Sequence, residues 1–361
     1  MTASQEGPGA DIRDQDLAAM RRALALAASV RAATSPNPWV GAVVVTPGDD
    51  SFDGATAPPG GPHAEVVALD AAGDAARGAT LYSTLEPCAH HGRTPPCTTA
   101  IAAAGVSRVV VGVLDPDPLV SGRGVAALRG LGVTVDVGVG ADEAGDLLAP
   151  YLKHRRTGRP WVVLKLAATM DGRIAAPDGS ARWLTGDAAR ADAHRLRALS
   201  DAVLVGAGTV RADDPALTVR VDPVPEHQPL RVVLGHAPDG ARVHPALELS
   251  GEPAAVLDEL GAKGVLQVLV EGGAHVAHAF HAAGLVDRYV LYLAPALFGG
   301  DDAVPMFGGP GAPCVQDLWR GRLVSVTQLG SDVRVELAPI EPTTVEPTTV
   351  EPAAAAGEPT S

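Results

Sequence analysis

Aromatic residues are scarce in this chain, making up 3% of 361 residues, with four each of Trp, Tyr and Phe. The core must therefore be built mainly from Ala, Val and Leu, within a hydrophobic content of 46%. Lysine is rarer still: Lys153, Lys165 and Lys263 are the three lysines among 28 basic residues. Together with the abundance of alanine, this reads as compositional bias rather than chemistry. Three cysteines, Cys88, Cys97 and Cys314, are too few for a disulfide framework and are expected as ligands or buried thiols. No apolar run approaches the roughly 20 residues that a membrane span needs. The opening MTASQEGPGADIRDQD has neither a basic n-region nor an apolar h-region. A cytoplasmic protein with no membrane partner is the expectation. Positive charge is also short, with a formal net charge of −14. Affinity for a phosphate backbone comes from basic patches, so a general nucleic-acid binder is excluded, while a single phosphate pocket made by a few arginines is not.

What is present suggests two domains, and the length is sufficient for two cores. Residues 1–14 are polar and rich in Gly and Pro, and are expected to form a disordered arm. Leu17, Met20, Leu24 and Ala28 then recur at helical spacing, and the apolar run GAVVV at 41–45 predicts a buried strand. Helix over 63–76, strand over 79–85 and helix over 97–104 follow. Strand 109–114, helix 125–131, strand 133–139 and helix 141–156 complete an alternation that implies an α/β sandwich on a largely parallel or mixed sheet. The basic stretch HRRTGRP at 154–160 marks the expected boundary between domains at 15–157 and 158–339. The second pattern runs through strand 161–167, helix 188–199 and strands 202–205, 231–234 and 266–270. Helix 274–283, strand 289–294 and a terminal hairpin over 323–337 close it. The repeat EPTTVEPTTVEP and the residues after it, within 340–361, bury too little apolar surface to fold.

The chemically informative segment is PHAEV at 62–66 followed by TLEPCAHHGRTPPC at 84–97. His63 and Glu65 stand two apart at a predicted helix start, and Cys97 opens the next helix, where free N–H groups favour a thiolate. One imidazole and two thiolates, from His63, Cys88 and Cys97, satisfy three positions of a tetrahedral Zn2+ and leave the fourth for water, the pattern of a catalytic rather than a structural site. Glu65 is then the proton shuttle between that water and a departing ammonia. The His-x-Glu and Pro-Cys pair is the known signature of zinc deaminases. His90 and His91 compete as ligands within the loop, and Cys314 reads as a bystander.

At TLEPCAHHGRTPPC the chain closely resembles the bifunctional riboflavin-pathway deaminase–reductase family. Cytidine and tRNA-base deaminases keep the two cysteines closer together. The resemblance covers roughly residues 15–339 and includes PNPWVG, DPDP and SGRG, then LKLAATMDGRIA, RWLTG, VGAGTVRADDPALTVR and VEGG. It implies an α/β fold in two domains, a cytidine-deaminase-like α/β/α sandwich followed by a dihydrofolate-reductase-like domain that uses NADPH. It further implies a phosphoribosyl pyrimidine as small-molecule substrate and a homo-oligomeric assembly. In the first domain Asn37, His90 and Arg93 would hold the substrate, although on sequence alone a generic Asn-Pro turn is the better account of Asn37 and a solvated loop is the alternative for His90 and Arg93. In the second domain Thr209 and Asp213 would line the cofactor, with Asp213 delivering or orienting a proton. Ala167, Trp183, His236, Gly273, Ala274 and His275 match further cofactor positions. Ala181, Arg197, Leu217, Arg220 and Glu271 match substrate positions. Lys165 and Asp171 read as structural. No GxGxxG is present, so a Rossmann domain is not indicated.

Two departures from the family pattern stand out. The segment TPGDDSFDGATAPPGGP at 46–62 has poor strand propensity where the family carries a second Gly-rich strand, and Thr56 falls near the position of a substrate-facing histidine. Gly235 stands where an aspartate is usual. The first departure keeps open an alternative in which the reductase alone is active and the first half is a zinc-stabilised scaffold. A nucleoside or tRNA-base deaminase fused to a reductase is the other alternative.

Overall fold

In the computed structural model, the described residues are 14–90, 95–118, 120–221 and 228–340. Apart from Asp14, which starts a helix, and Ile340, the expected arm and tail lie outside them. The first half builds a five-stranded sheet in the order β2-β1-β3-β4-β5, from β1 (Gly41–Val45), β2 (Ser51–Ala55), β3 (Thr80–Leu85), β4 (Arg108–Val113) and β5 (Thr134–Val137). β1 runs antiparallel to both of its neighbours, and β3, β4 and β5 are parallel. Alternating side chains separate the two faces, as the period of a strand requires. Val43, Tyr82 and Val110 pack with Met20, Ala23 and Leu24 of α1 (Asp14–Thr34) and Ala144 of α5 (Ala141–Thr157). Val44, Leu81 and Val109 face α2 (Ala64–Ala72), α3 (Cys97–Ala103) and α4 (Arg123–Gly130) through Ala68, Ile101 and Leu128. A mixed-sheet α/β/α sandwich results, as the alternation of sequence patterns implies.

The helix expected over 63–76 is divided: α2 ends at Ala72 and a 3-10 turn covers Gly73–Ala76. The segment of poor strand propensity does form a strand, because context supplies what composition lacks. Thr46 Oγ1 accepts from the amides of Gly48 and Asp50 to shape the turn, and Arg22 Nη2 donates to Asp53 Oδ2 at 2.9 Å. At Gly54 a Cβ would lie 2.1 Å from the Ala64 carbonyl oxygen, so only glycine lets α2 pack this closely on β2.

The second half is an eight-stranded sheet ordered β10-β9-β8-β11-β6-β12-β15-β14. Its strands are β6 (Trp161–Thr169), β8 (Ala202–Gly206), β9 (Leu230–Leu234), β10 (Leu247–Leu249), β11 (Gln267–Val270), β12 (Arg288–Ala294), β14 (Gly321–Leu329) and β15 (Asp332–Pro339). From β10 to β12 the pairing is parallel, and the final hairpin is antiparallel. A separate ribbon pairs β7 (Arg173–Ala175) with β13 (Val304–Pro305). α8 (Pro253–Ala262) and α9 (Ala274–Ala282) cover one face through Leu257, Leu260 and Phe280. α6 (Asp187–Ala198) and α7 (Ala207–Asp213) cover the other through Ala189 and Val210. α7 occupies the segment that the sequence presented as glycine turns, and α8 and β10 add to the pattern read there.

Three residues, 158–160, separate α5 from β6. The halves are also joined by side chains. Arg31 Nη2 donates to Gln267 Oε1 at 2.6 Å, Lys153 pairs with Asp287 at 2.5 Å, and the Gly261 carbonyl accepts from His154 at 3.0 Å. Leu266, in the second half, is buried within the core of the first.

Candidate active sites

The carboxyl end of β3 and the N-terminus of α2 line one cavity of about 350 Å3, and the N-terminus of α3 brings Cys97 against His63 beside it. His63 is the N-cap residue of α2, Glu65 lies in its first turn, and Cys97 is the first residue of α3. The His63, Cys88 and Cys97 donor atoms all lie within 4.8 Å of one another. His63 Nδ1 is 3.2 Å from Cys97 Sγ and 3.6 Å from Cys88 Sγ, while the Cys97 amide donates to Cys88 Sγ at 3.4 Å. Hydrogen bonds from the Cys97 thiol and from His63 draw the Cys88 thiol down to about 4, and the bond to Cys88 together with burial pushes Cys97 up. So close a set of one imidazole and two sulfur donors fits a zinc ion. Burial raises the Glu65 carboxyl above its ordinary range, as a group that takes and returns a proton requires.

Asn37 and His90 line the same cavity, while Arg93 lies outside the described residues. Thr56 also reaches the wall, but it is buried and its hydroxyl is engaged with Val40, accepting from the amide at 3.0 Å and facing the carbonyl at 3.3 Å. Sequence reasoning assigned no role to Glu86, Asp115 and Tyr151, which also line the wall. The Tyr151 hydroxyl donates to Asp115 at 2.9 Å. Glu86 stood in view inside TLEPC, and Asp115 opens DPDP, but nothing local indicated that they meet.

A second cavity, of about 520 Å3, lies at the carboxyl ends of β6, β8 and β11. Ligands of open α/β sheets bind at this edge. Ala167, Ala181, Trp183, Thr209 and Asp213 line it, as do Arg197, Leu217, Arg220, Glu271 and Gly273. At its floor Arg197 grips Glu271 with two bonds of 2.5 and 2.8 Å, and Lys165 stands 3.9 Å from the same carboxylate. Lys165, read as structural from sequence, is therefore part of the wall. Burial acts to raise the Glu271 carboxyl, but Arg197 and Lys165 overcome it and hold the group down to about 2. Asp171 accepts from Thr169 and from the Gly299 amide, in keeping with a structural role.

His236, Ala274 and His275 are not on the second wall. His236 is exposed and pairs with Glu248 at 2.7 Å, Ala274 is buried, and His275 Nδ1 donates to the Gly308 carbonyl at 2.8 Å. The wall fits a phosphate-bearing cofactor such as NADPH in two respects. Arg182, Arg190, Arg197, Arg220 and Arg242 outnumber its acids, Asp213, Asp214 and Glu271. Before α9, Gly272 and Gly273 line the cavity without side chains to obstruct a ligand, at a turn packed so that a Cβ on Gly272 would lie 2.5 Å from Val276 Cβ. Thr209 Oγ1 accepts from the Gly273 amide at 3.1 Å, tying α7 to that turn.

Known proteins place both halves together. Residues 13–113 match the cytidine and deoxycytidylate deaminase zinc-binding region, and residues 160–335 match the RibD C-terminal domain. The riboflavin biosynthesis protein RibD of Mycobacterium tuberculosis is 43% identical, with 88% of this chain and 96% of that protein covered. Its counterpart from Aquifex aeolicus is 40% identical, with 89% and 98% covered. Among solved structures, Acinetobacter baumannii RibD superposes with a TM-score of 0.84 at 40% identity, covering 90% of this chain and 99% of the other. The Thermotoga maritima diaminohydroxyphosphoribosylaminopyrimidine deaminase/5-amino-6-(5-phosphoribosylamino)uracil reductase gives 0.81 at 34% identity, covering 90% and 98%. Two cavities on two sheets, in the domain order of these proteins, leave one conclusion: the chain belongs to the RibD family, riboflavin-biosynthesis enzymes that join a zinc-binding deaminase domain to a reductase domain.

Proposed function

We propose that this chain deaminates diaminohydroxyphosphoribosylaminopyrimidine in residues 15–157 and, in residues 158–339, reduces the ribosyl group of the product to ribityl. The observation that carries the reading is the buried Glu65 beside His63 and Cys88 on one cavity wall, with the buried Cys97 thiol 3.2 Å from His63 Nδ1. Zinc held by these three side chains supplies the Lewis acidity that makes water nucleophilic at neutral pH. Glu65 takes the proton from the attacking water and returns it to the departing amine. Asn37, His90 and Arg93 hold the substrate.

In the second cavity NADPH supplies the hydride. Ala167, Trp183, Thr209, Asp213 and Gly273 face the cofactor, and Ala181, Arg197, Leu217, Arg220 and Glu271 face the sugar phosphate. Asp213 orients or delivers a proton near the reacting sugar. His236, Ala274 and His275 do not line this cavity, so their part in this reading is to support the cofactor-side turns rather than to touch the reacting atoms. The acidic chain acts on a small molecule rather than on nucleic acid. No helix among the described residues is long and apolar enough to cross a membrane, and a cytoplasmic homo-oligomer is part of the same reading. The exposed Leu323 and Val326 on the edge strand β14 suit a second copy of the chain.

One observation favours a second reading. With Thr56 committed to Val40, the wall has a backbone-bound hydroxyl where the family resemblance puts a substrate histidine, which suits a scaffold whose catalysis has decayed. Ammonia release by the zinc-loaded protein decides. Turnover that is lost in Glu65→Gln with zinc still bound is the expected result. No release from the unsubstituted chain, with NADPH oxidation preserved on deaminated substrate, establishes the scaffold instead.

A further inference from the structure

Glu86 follows β3 directly and precedes the Pro87–Cys88 turn. Its carboxylate is buried and accepts three backbone amides from a different stretch of chain. Oε2 accepts from Asp115 at 3.3 Å and from Gly122 at 3.0 Å, and Oε1 accepts from Val125 at 3.1 Å. Gly122 is the N-cap residue of α4 and Val125 its third helical residue. A glycine has no side chain with which to cap a helix, so the cap comes from Glu86, and a carboxylate there also meets the positive end of the helix dipole.

Close approach is built into the same joint. A Cβ on Gly124 would fall 2.0 Å from the Pro87 carbonyl oxygen and 3.1 Å from Glu86 Cγ. Glu86, Cys88, Asp115, Asp117 and Val120 all line the first cavity. The segment after β4 is thus a wall of that cavity, and its register against the Cys88 turn is set by one carboxylate. Asp115 in turn holds the Asp117 amide at 2.9 Å and the Tyr151 hydroxyl, so the order imposed by Glu86 passes on to α5.

We propose that Glu86 is a positioning residue for the deamination: it clamps the wall formed by Asp115, Asp117 and Val120 against the Cys88 turn and thereby fixes the shape that receives the pyrimidine. This rests on the deaminase reading above. Gln is the informative substitution, because it keeps the size of the side chain but turns one acceptor into an NH2 group facing backbone donors. In the full zinc-loaded chain, Glu86→Gln is expected to raise KM for ammonia release about tenfold, with kcat within about threefold, and to leave zinc content and the reduction step unchanged. Amide exchange at Gly122 and Val125 is expected to quicken about tenfold, with β4 unchanged.

A lowered melting temperature with unaltered kinetics would reduce Glu86 to a structural residue and overturn the proposal. Loss of zinc would do so too, since the carboxylate would then be serving the ligand turn. Free exchange of the Gly122 and Val125 amides in the unsubstituted chain overturns it without any variant. If the unsubstituted chain releases no ammonia, the deaminase reading falls and the positioning role falls with it, even where the exchange data show the clamp.

Discussion

Glu271 is held by two cations in a setting that would by itself keep a carboxyl neutral. Its folded-state value, about 2, lies below the ordinary 4.5, so its contribution to stability is complete above about pH 4.5 and is lost as the pH falls through about 2. Urea midpoints of the unsubstituted chain and of Glu271→Gln are therefore expected to differ most near neutral pH and to converge towards pH 2. A gap that widened on acidification would contradict the ion-pair geometry. The cluster also marks what a sequence can disclose. The zinc set was legible because few residues can replace a His-x-Glu and two spaced cysteines. The Lys165–Glu271–Arg197 contact was not, because its members come from β6, the segment after β11, and α6, and only the order of the sheet brings them together. Lys165 accordingly read as structural, and Glu86 passed as part of a motif rather than as a ligand of three amides.

At the scale of elements, periodicity located most helices and strands, and the differences have local causes. α7 contains Gly208 and ends in Asp213, with Asp214 in the left-handed region at φ 40, so its sequence carries turn signals inside a helix. β2 has Gly54 and Asp53 yet pairs with β1, since an edge strand needs only one partner and its turn is fixed by Thr46. α8 did carry a readable signal, Pro253 at its start and an apolar stripe at Val256, Leu257 and Leu260. Helix-on-sheet spacing in the first half depends on Gly41 as well as Gly54: a Cβ on Gly41 would lie 1.9 Å from the Ala23 carbonyl oxygen and 2.8 Å from the Ala27 amide nitrogen. Gly41→Ala is expected to push α1 off β1 and lower unfolding free energy by about 2 kcal/mol or more. A urea midpoint equal to that of the unsubstituted chain would show that α1 can shift without cost.

Across the whole molecule, the alternation of helix and strand signals in each half made the division into two α/β units visible in the sequence. The seam was not. Its parts are far apart in the chain: Arg31 from α1 reaches Gln267, and burial lowers its guanidinium to about 10. That residue stacks over Trp39 at 4.8 Å, which ties the end of α1 to the joint from both sides.

The position of Leu266 bears on how the gene could be handled. Because this side chain fills the first core while its neighbours belong to the second, a polypeptide ended at Thr157 would carry an open apolar socket, and a polypeptide begun at Gly158 would carry the matching plug. Separate expression of the two pieces is expected to give poorly soluble products. Co-expression is expected to return a nicked heterodimer that co-elutes through size exclusion. Two soluble, independently eluting fragments would show that the socket closes on its own. Swapping one unit for that of a relative would therefore have to carry Leu266 and its socket as a matched pair.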